Sequence, residues 1–222
     1  MKGRIYGNGT YVGLAEVIER DGLKLAPMGE TVSLMHPAYK GILSILPFGK
    51  RREIRSTMRS NFLYAYTEIH IFPNNLVFYH DVYSLKDRFL NPTKEELEAM
   101  LGSKEEKGVV FSDDGSLRRV EGKHMAGELR KGTLSSHPNI IGQTGSMESA
   151  HKLDEIAGAY KENPYLILSG EVDKPITTVS ALYSVWGLLD RLLVGGGNRG
   201  VNRFGCAFGV QGRTGEASRT ET

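Results

Sequence analysis

The most informative pattern of apolar and polar positions lies towards the C-terminal end of the chain. Apolar side chains recur at three- and four-residue steps across Val179–Val194, which predicts an amphipathic helix with one buried face. Apolar residues then alternate with small or polar ones across Phe204–Gln211, which predicts a strand that faces the core on one side. Between the two lies a glycine-rich, basic loop that begins at Gly195. We therefore expect helix, loop and strand in that order.

The rest of the pattern predicts a mixture of helices and strands. Asn61–Ile71 and Leu76–Ser84 are rich in aromatic and β-branched residues and flank Pro73-Asn74-Asn75, so they predict a β-hairpin. Glycines interrupt a weak alternation over Met1–Ile18, which predicts an irregular strand, and Pro37 is expected to open a buried helix. Further expected elements are a short helix capped by Thr93, short strands at Val109–Phe111 and Leu117–Val120, a helix within Glu148–Tyr160 and a core strand over Tyr165–Val172.

The segment Gly102–Gly145 is polar and punctuated by glycine. Because so few of its residues are apolar, we interpret it as an excursion from the core, in the manner of a thumb or a lid. The chain of 222 residues is long enough for one sizeable core, so we expect a single elaborated domain over residues 1–222.

Composition adds three points to this picture: the distribution of charge, the number of cysteines and the length of the apolar runs. The formal net charge is +2, yet Lys50–Arg59 holds five basic residues against one glutamate. The single cysteine excludes an intramolecular disulfide framework and is typical of a reducing compartment. No apolar run approaches the roughly 20 residues that span a bilayer. We therefore expect a cytoplasmic protein that does not interact with membranes.

Two basic segments are candidates for binding an anionic partner. Arg52, Arg55 and Arg59 follow one another at three- and four-residue steps, so a helix would present them on one face; the ordinary alternative is a solvated helix face. Gly195–Gly200 fits G-x-G-x-x-G, but with a helix predicted before it and a strand after it, the order is wrong for a dinucleotide site. Its backbone N–H groups can still approach phosphate, although a plain glycine connection is the alternative.

Other chemistry finds little support in the residue pattern. The six histidines show no metal-ligand spacing, and Cys206 fits a small core position, so we expect neither a metal nor a cofactor. His80 and Asp81 are adjacent in a predicted strand and should face opposite sides. Asp21, after the first predicted strand, is the one carboxylate considered for a catalytic role, although an aspartate in a turn is the usual interpretation.

Two separate segments resemble motifs of one known family. Gly195–Gly209 follows the predicted helix and leads into the last core strand, and Leu46-Pro47 with Glu53–Ser60 forms a proline-led segment that runs into a basic helix. Both are similar to motifs of the RAMP superfamily of CRISPR-associated RNA-binding proteins, in which the basic helix has a hydrophobic-Arg-Gly-x-x-Arg-Ser core. Ser56 stands where that superfamily usually has glycine, which leaves the subfamily open.

The resemblance implies an α+β fold with a modified ferredoxin-like core, similar to an RNA recognition module, with an antiparallel sheet and an inserted thumb. It implies a guide-RNA-binding backbone subunit of an RNA-guided effector complex, whose partners are guide RNA, other subunits and further copies of itself. If Gly102–Gly145 is the thumb, Leu134 or Met125 would wedge between bases. The implied RNA-binding residues are Lys50, Arg51, Arg52, Arg55, Arg59, Gly195, Gly196, Gly197, Asn198, Arg199, Gly200 and Arg203.

Two alternatives to a non-catalytic subunit stay open. The first is an endoribonuclease of the same fold, for which Asp21 and His36 are the weak catalytic candidates. The second is a metabolic enzyme that holds a phosphorylated small molecule at Gly195–Gly200. Since neither candidate residue has supporting motif residues around it, we expect binding rather than catalysis.

Overall fold

The computed structural model describes residues 3–40, 47–121, 126–168, 172–185, 190–196 and 205–211. These residues form six α-helices and twelve strands. The helices are α1 (Tyr11–Arg20), α2 (Met28–Tyr39), α3 (Phe48–Ser60), α4 (Lys94–Glu98), α5 (Pro138–Thr144) and α6 (Met147–Ala157). The strands are β1 (Gly3–Gly9), β2 (Lys24–Leu25), β3 (Phe62–Phe72), β4 (Leu76–Asp81), β5 (Glu105–Glu106), β6 (Val109–Phe111), β7 (Leu117–Glu121), β8 (Gly127–Glu128), β9 (Tyr165–Leu168), β10 (Ile176–Val185), β11 (Arg191–Gly196) and β12 (Gly205–Val210).

The strands form one mixed sheet organised around β3. The main path runs β5-β6-β7-β4-β3-β10-β11-β9-β8, and β12 joins it beside β3 and carries β1 and β2. Strand β3 pairs antiparallel with β4 and β10 and parallel with β12. Every β3 residue after Phe62 is buried, so both faces of the sheet are covered at this strand.

The two faces of β3 pack against different elements. Because side chains alternate along a strand, Leu63 and Ile69 lie on one face, in a large apolar cluster that also takes residues from α2, α3, α5 and α6. Tyr64 and Tyr66 lie on the other face, in a separate cluster with α1. Helices α1 and α3 therefore cover opposite faces of the sheet.

Several predicted elements are confirmed. Strands β3 and β4 form the expected hairpin around Pro73–Asn75, and a basic helix follows Pro47. The Thr93 side chain accepts a hydrogen bond from the backbone N of Glu96, whose own side chain completes a capping box on α4. Strands β6, β7 and β9 and helix α6 also lie where the pattern predicted them.

The amphipathic helix predicted over Val179–Val194 is wrong. Its described residues form the antiparallel pair β10 and β11, and β10 also pairs with β3 along seven register positions. The stretch Ile176–Val179 is largely β-branched and favours a strand. Apolar steps of three and four residues do not distinguish a helix from a strand such as β11, in which every residue after Arg191 is buried.

The N-terminal region differs in the same way. Strand β1 ends at Gly9, and α1 then begins, with the Thr10 hydroxyl capping it by accepting a hydrogen bond from the backbone N of Gly13. The predicted strand over Met1–Ile18 is therefore wrong beyond Gly9. Pro37 lies within the last turn of α2 instead of opening a helix, and residues 41–46 lie outside the described residues.

Gly102–Gly145 is not an excursion from the core where the structure describes it. It contributes β5, β6 and β7 to the sheet, and α5 is buried, with Ile140 and Ile141 in the main cluster. Leu134, predicted as an exposed wedge, is also fully buried, and Met125 lies outside the described residues.

The ferredoxin-like core is also wrong. A βαββαβ core needs a helix before its last strand, and the described residues there form the β10–β11 hairpin. The sheet is a mixed one, with β9–β11 and β3–β12 parallel, in place of a small antiparallel sheet. Within the described residues, no helix has the length and apolar character needed to cross a bilayer.

An ionic network centres on Arg118, which has no exposed surface. Its guanidinium donates two hydrogen bonds to the Asp81 carboxylate, at 2.5 and 2.7 Å, and its Nε donates to the Gly142 carbonyl of α5 at 2.8 Å. Asp81 also accepts a hydrogen bond from Thr67 Oγ1 at 2.7 Å, and that hydroxyl accepts one from the backbone N of Met28 at 2.9 Å. The network thus joins β7, β4, β3, α5 and the start of α2.

We predict that Arg118→Met lowers the free energy of unfolding by about 3 kcal/mol, because it removes a fully buried guanidinium and leaves the largely buried Asp81 carboxylate without its cation. Arg119→Met is the matched control: the Arg119 side chain is partly exposed and pairs with Glu98 and Glu121, so its loss should cost about 1 kcal/mol or less. Urea denaturation of both variants checks this. Equal losses would contradict it, and Asp81→Asn added to Arg118→Met should recover part of the stability.

Candidate functional site

Helix α3 carries a stripe of cationic and aromatic side chains. Ile54 and Met58 anchor the helix by packing into the main apolar cluster. Phe48, Arg52, Arg55 and Arg59 follow at intervals of four, three and four residues, so they line one side of the helix beside the buried face. At a rise of 1.5 Å per residue the stripe is about 16 Å long. We call these four residues the α3 stripe.

The stripe offers both charge and an aromatic ring to solvent. The Phe48 residue is 73% exposed, which is unusual for a large apolar side chain, and the Arg51 guanidinium lies 5.6 Å from its ring centroid. Arg52 and Arg59 are exposed, and Lys50 is exposed nearby.

Arg55 is held more firmly than the other members of the stripe. Its Nε donates a hydrogen bond of 2.9 Å to the Ala38 carbonyl at the end of α2, and its guanidinium lies 5.2 Å from the Tyr39 ring centroid. The Tyr39 hydroxyl in turn lies 3.1 Å from that of Tyr160, and burial raises the pKa of the Tyr39 phenol well above its usual value. Arg55 is therefore preoriented by α2, with its charge near a neutral aromatic pair.

The electrostatic environment of the stripe is basic. Glu53 is the one acidic residue of α3, and because it directly follows Arg52 along the helix, the two side chains do not face each other. Within the ranges that the structure describes, neither Lys50 nor Arg52 has an ion pair or a side-chain hydrogen bond. Their charges are therefore available to an external anion.

The glycine-rich segment is placed differently from the prediction. Gly195 and Gly196 are buried in β11, where they pair with Ala181 and Ser180. A Cβ on Gly196 would lie 2.3 Å from Ile69 Cδ1, so this glycine makes room for a neighbouring side chain and does not form an open phosphate loop. The other predicted residues of this segment, Gly197, Asn198, Arg199, Gly200 and Arg203, lie outside the described residues.

The two weak catalytic candidates have structural partners. Asp21 ends α1, and its carboxylate accepts hydrogen bonds from Arg4 Nη1 at 3.0 Å and from the Tyr6 hydroxyl at 2.8 Å. His36 is buried in α2, and its Nε2 is hydrogen-bonded to Glu155 Oε2 of α6. Each therefore ties two elements together, which is the structural role expected of such a pair.

A second cluster of polar side chains, Glu68, His70 and His80, lies on the α1 side of the sheet. Glu68 and His70 are two residues apart on β3, and His80 of β4 is directly opposite Glu68 in the antiparallel register. One potential ligand atom of each residue lies within 4.8 Å of those of the other two, and all three residues are buried. We call these three residues the Glu-His-His cluster.

The cluster is only partly satisfied by hydrogen bonds. Arg88 Nε donates to Glu68 Oε1 at 2.6 Å, and His70 Nδ1 lies 2.9 Å from Thr177 Oγ1 of β10. His70 Nε2 and His80 Nδ1 are both buried and have no hydrogen-bond partner within the part of the chain that the structure describes. Burial raises the pKa of Glu68, and it lowers the pKa of His70 to about 3 and that of His80 in the same direction, so both imidazoles are neutral at pH 7.

This cluster could not be found from the spacing of the histidines along the chain, because its three residues come together only across two strands. The signal was present in the predicted hairpin, since Glu68 and His70 share a strand face and His80 follows after a short turn. Only the strand register shows that His80 faces Glu68. The expectation that His80 and Asp81 face opposite sides is confirmed, because Asp81 joins the Arg118 network.

Comparisons with known proteins bear on the fold. No protein-family model matches the chain, and no curated protein matches it either. The chain is similar to a solved structure whose subject is the accommodation of massive sequence variation in Nanoarchaeota by the C-type lectin fold. The TM-score is 0.51 and the sequence identity is 14%, over 95% of this chain and 97% of that one. The likeness indicates a C-type lectin fold and overturns the ferredoxin-like prediction.

The His36–Glu155 pair generates a pH prediction. The hydrogen bond from His36 holds the pKa of the Glu155 carboxyl below its ordinary value of 4.5. A carboxyl with a depressed folded pKa stabilises the fold above its ordinary pKa and loses that contribution as pH falls through the folded value. Glu155→Gln should therefore make the loss of stability below pH 4.5 less steep, as measured by urea denaturation at a series of pH values. A curve parallel to that of the wild type would contradict this role.

Proposed function

We propose that the chain binds single-stranded nucleic acid through the α3 stripe, with RNA as the ligand that its sequence resemblance favours. The observation that carries the proposal is the exposed Phe48 ring in line with three arginines on one anchored helix. Proteins that bind single strands without sequence preference combine cationic contacts to the backbone with aromatic side chains on which bases stack. The α3 stripe contains both, in a length of about 16 Å.

Preorganisation by α2 adds to this argument. An arginine that is already held by a carbonyl and an aromatic ring loses less conformational entropy when it binds a phosphate than a freely rotating one. Arg55 is in that position, and Arg52 and Arg59 flank it on the helix surface. Phosphate contacts from such side chains give affinity without reading sequence.

We place the activity in the cytoplasm, where the buried thiol of Cys206 stays reduced. The narrower assignment to a guide-RNA subunit of a CRISPR effector stays a prediction, and RNA that co-purifies with the protein would favour it.

We predict that the protein binds a fluorescent 20-nucleotide oligouridine and that the affinity falls with salt, as measured by anisotropy between 50 and 200 mM salt. Arg52→Gln and Arg59→Gln should each reduce the slope of log K against log salt by about 0.7, since each removes one phosphate contact. Phe48→Ala should weaken binding by roughly 5- to 150-fold, the equivalent of about 1–3 kcal/mol for one stacked base, and leave the slope unchanged.

Arg20→Gln is the matched control, because Arg20 is an exposed arginine on α1, across the sheet from α3. It should leave both affinity and slope as in the wild type. The proposal is overturned if the wild type fails to bind at 50 mM salt, or if Arg20→Gln loses as much affinity as Arg52→Gln. Equal binding of oligodeoxyuridine would remove the preference for RNA and leave the α3 stripe as a general single-strand site.

A further inference from the structure

The Glu-His-His cluster interrupts an otherwise apolar sheet face. On one side of it lies the cluster of Tyr64, Tyr66 and Val82, and on the other side lies the cluster of Phe72 and Phe78. Polar groups in such a position cost free energy unless they have partners, and buried polar atoms nearly always do. Here two imidazole nitrogens have none among the described residues.

We propose that Glu68, His70 and His80 bind a divalent transition-metal ion, with Zn²⁺ the preferred ion. Imidazole nitrogen and carboxylate oxygen are the ligands that zinc takes in sites with three protein ligands. Tetrahedral coordination with bonds of about 2.0–2.1 Å requires ligand atoms roughly 3.3 Å apart. Since His70 Nε2 lies 3.9 Å from Glu68 Oε2 and all three ligand atoms lie within 4.8 Å of one another, small side-chain rotations close the site.

The surrounding residues orient the ligands as outer-shell partners do. Thr177 lies opposite His70 in the register, and its hydroxyl, 2.9 Å from Nδ1, leaves Nε2 to face the cluster. Arg88 binds the Glu68 oxygen Oε1, and the other oxygen, Oε2, faces His70 and accepts a hydrogen bond from the backbone N of Phe89 at 3.3 Å. The Arg88 charge opposes the metal ion, but the carboxylate lies between them.

The Phe89 ring covers the cluster on one side, and a cavity borders it at His70. The Phe89 ring lies over the cluster, with its centroid 4.5 Å from that of His80 and 6.3 Å from that of His70. A cavity of about 390 Å³ is lined by His70 and Thr177 together with Asn91 and Lys94. This cavity borders the cluster at His70, and three protein ligands leave a fourth position for water or a small anion.

The competing explanation is that a buried water, or a direct hydrogen bond between histidine and Glu68, satisfies the imidazole nitrogens. The 3.9 Å separation between His70 Nε2 and Glu68 Oε2 is too long for a direct bond. A water would need at least two polar partners in the same place, which is also the place that the metal would take. Metal titration separates these cases.

The experiment starts from the full chain dialysed against EDTA and then against metal-free buffer. Zn²⁺ is titrated in the presence of a chromophoric zinc chelator, and one equivalent should bind and raise the unfolding temperature. His70→Gln and His80→Gln should each weaken binding by about 100-fold or more, and Thr177→Val by about 10- to 100-fold, as for outer-shell partners. His151→Gln is the matched control, since His151 is exposed on α6, and it should bind as the wild type does.

A second measurement does not depend on the variants folding. Co²⁺ added to the wild type should give the visible absorption of a four-coordinate nitrogen and oxygen site, and one equivalent of Zn²⁺ should abolish it. Absence of saturable binding by the wild type overturns the proposal, as does wild-type affinity in a folded His70→Gln or Glu68→Gln variant. Because the α3 stripe lies across the sheet, oligouridine binding should be the same with EDTA and with Zn²⁺, so each proposal fails or stands separately.

Discussion

The bidentate contact between Arg118 and Asp81 is the interaction on which the rest of the structure depends. The Arg118 guanidinium is fully buried, and a buried charge is tolerated only where its partner and its remaining hydrogen-bonding capacity are both provided. Here the carbonyls of Gly115, Ser116 and Gly142 accept hydrogen bonds from the guanidinium. The Thr67 hydroxyl donates a hydrogen bond to Asp81 and accepts one from the backbone N of the first residue of α2. One ion pair thereby sets how two helices and three strands meet.

Strands β3 and β4 carry polar side chains on both faces of the sheet, and these side chains have more complete hydrogen bonding on one face than on the other. Thr67 and Asp81 face the helices and have a complete set of partners, whereas Glu68 and His80, their neighbours along the two strands, lie on the α1 side. There Arg88 satisfies the carboxylate, but two imidazole nitrogens have no hydrogen-bond partner among the residues that the structure describes. The completed network stabilises the fold, and the incomplete one is the place where we propose a metal ion.

The fold and the function have to be argued separately. A likeness to the C-type lectin fold at 14% identity says how the chain is arranged, and it assigns no partner. The α3 stripe and the Glu-His-His cluster are the two places with a proposed function, and the fold places them on opposite faces of β3. The stripe does not need a ferredoxin-like core, because its geometry comes from one helix anchored by Ile54 and Met58.

The sequence by itself determined the elements whose signals are local. These are the hairpin around Pro73–Asn75, the capping box of α4, and the basic helix, in which Arg52, Arg55 and Arg59 share a side by spacing alone. Tertiary structure decided the rest. The described residues of Val179–Val194 lie in two strands because pairing with β3 outweighs a weak helical period, and residue 196 is glycine because Ile69 Cδ1 fills the space that its Cβ would need. The Glu-His-His cluster exists only through strand register, a relation between residues that neither composition nor spacing along the chain contains.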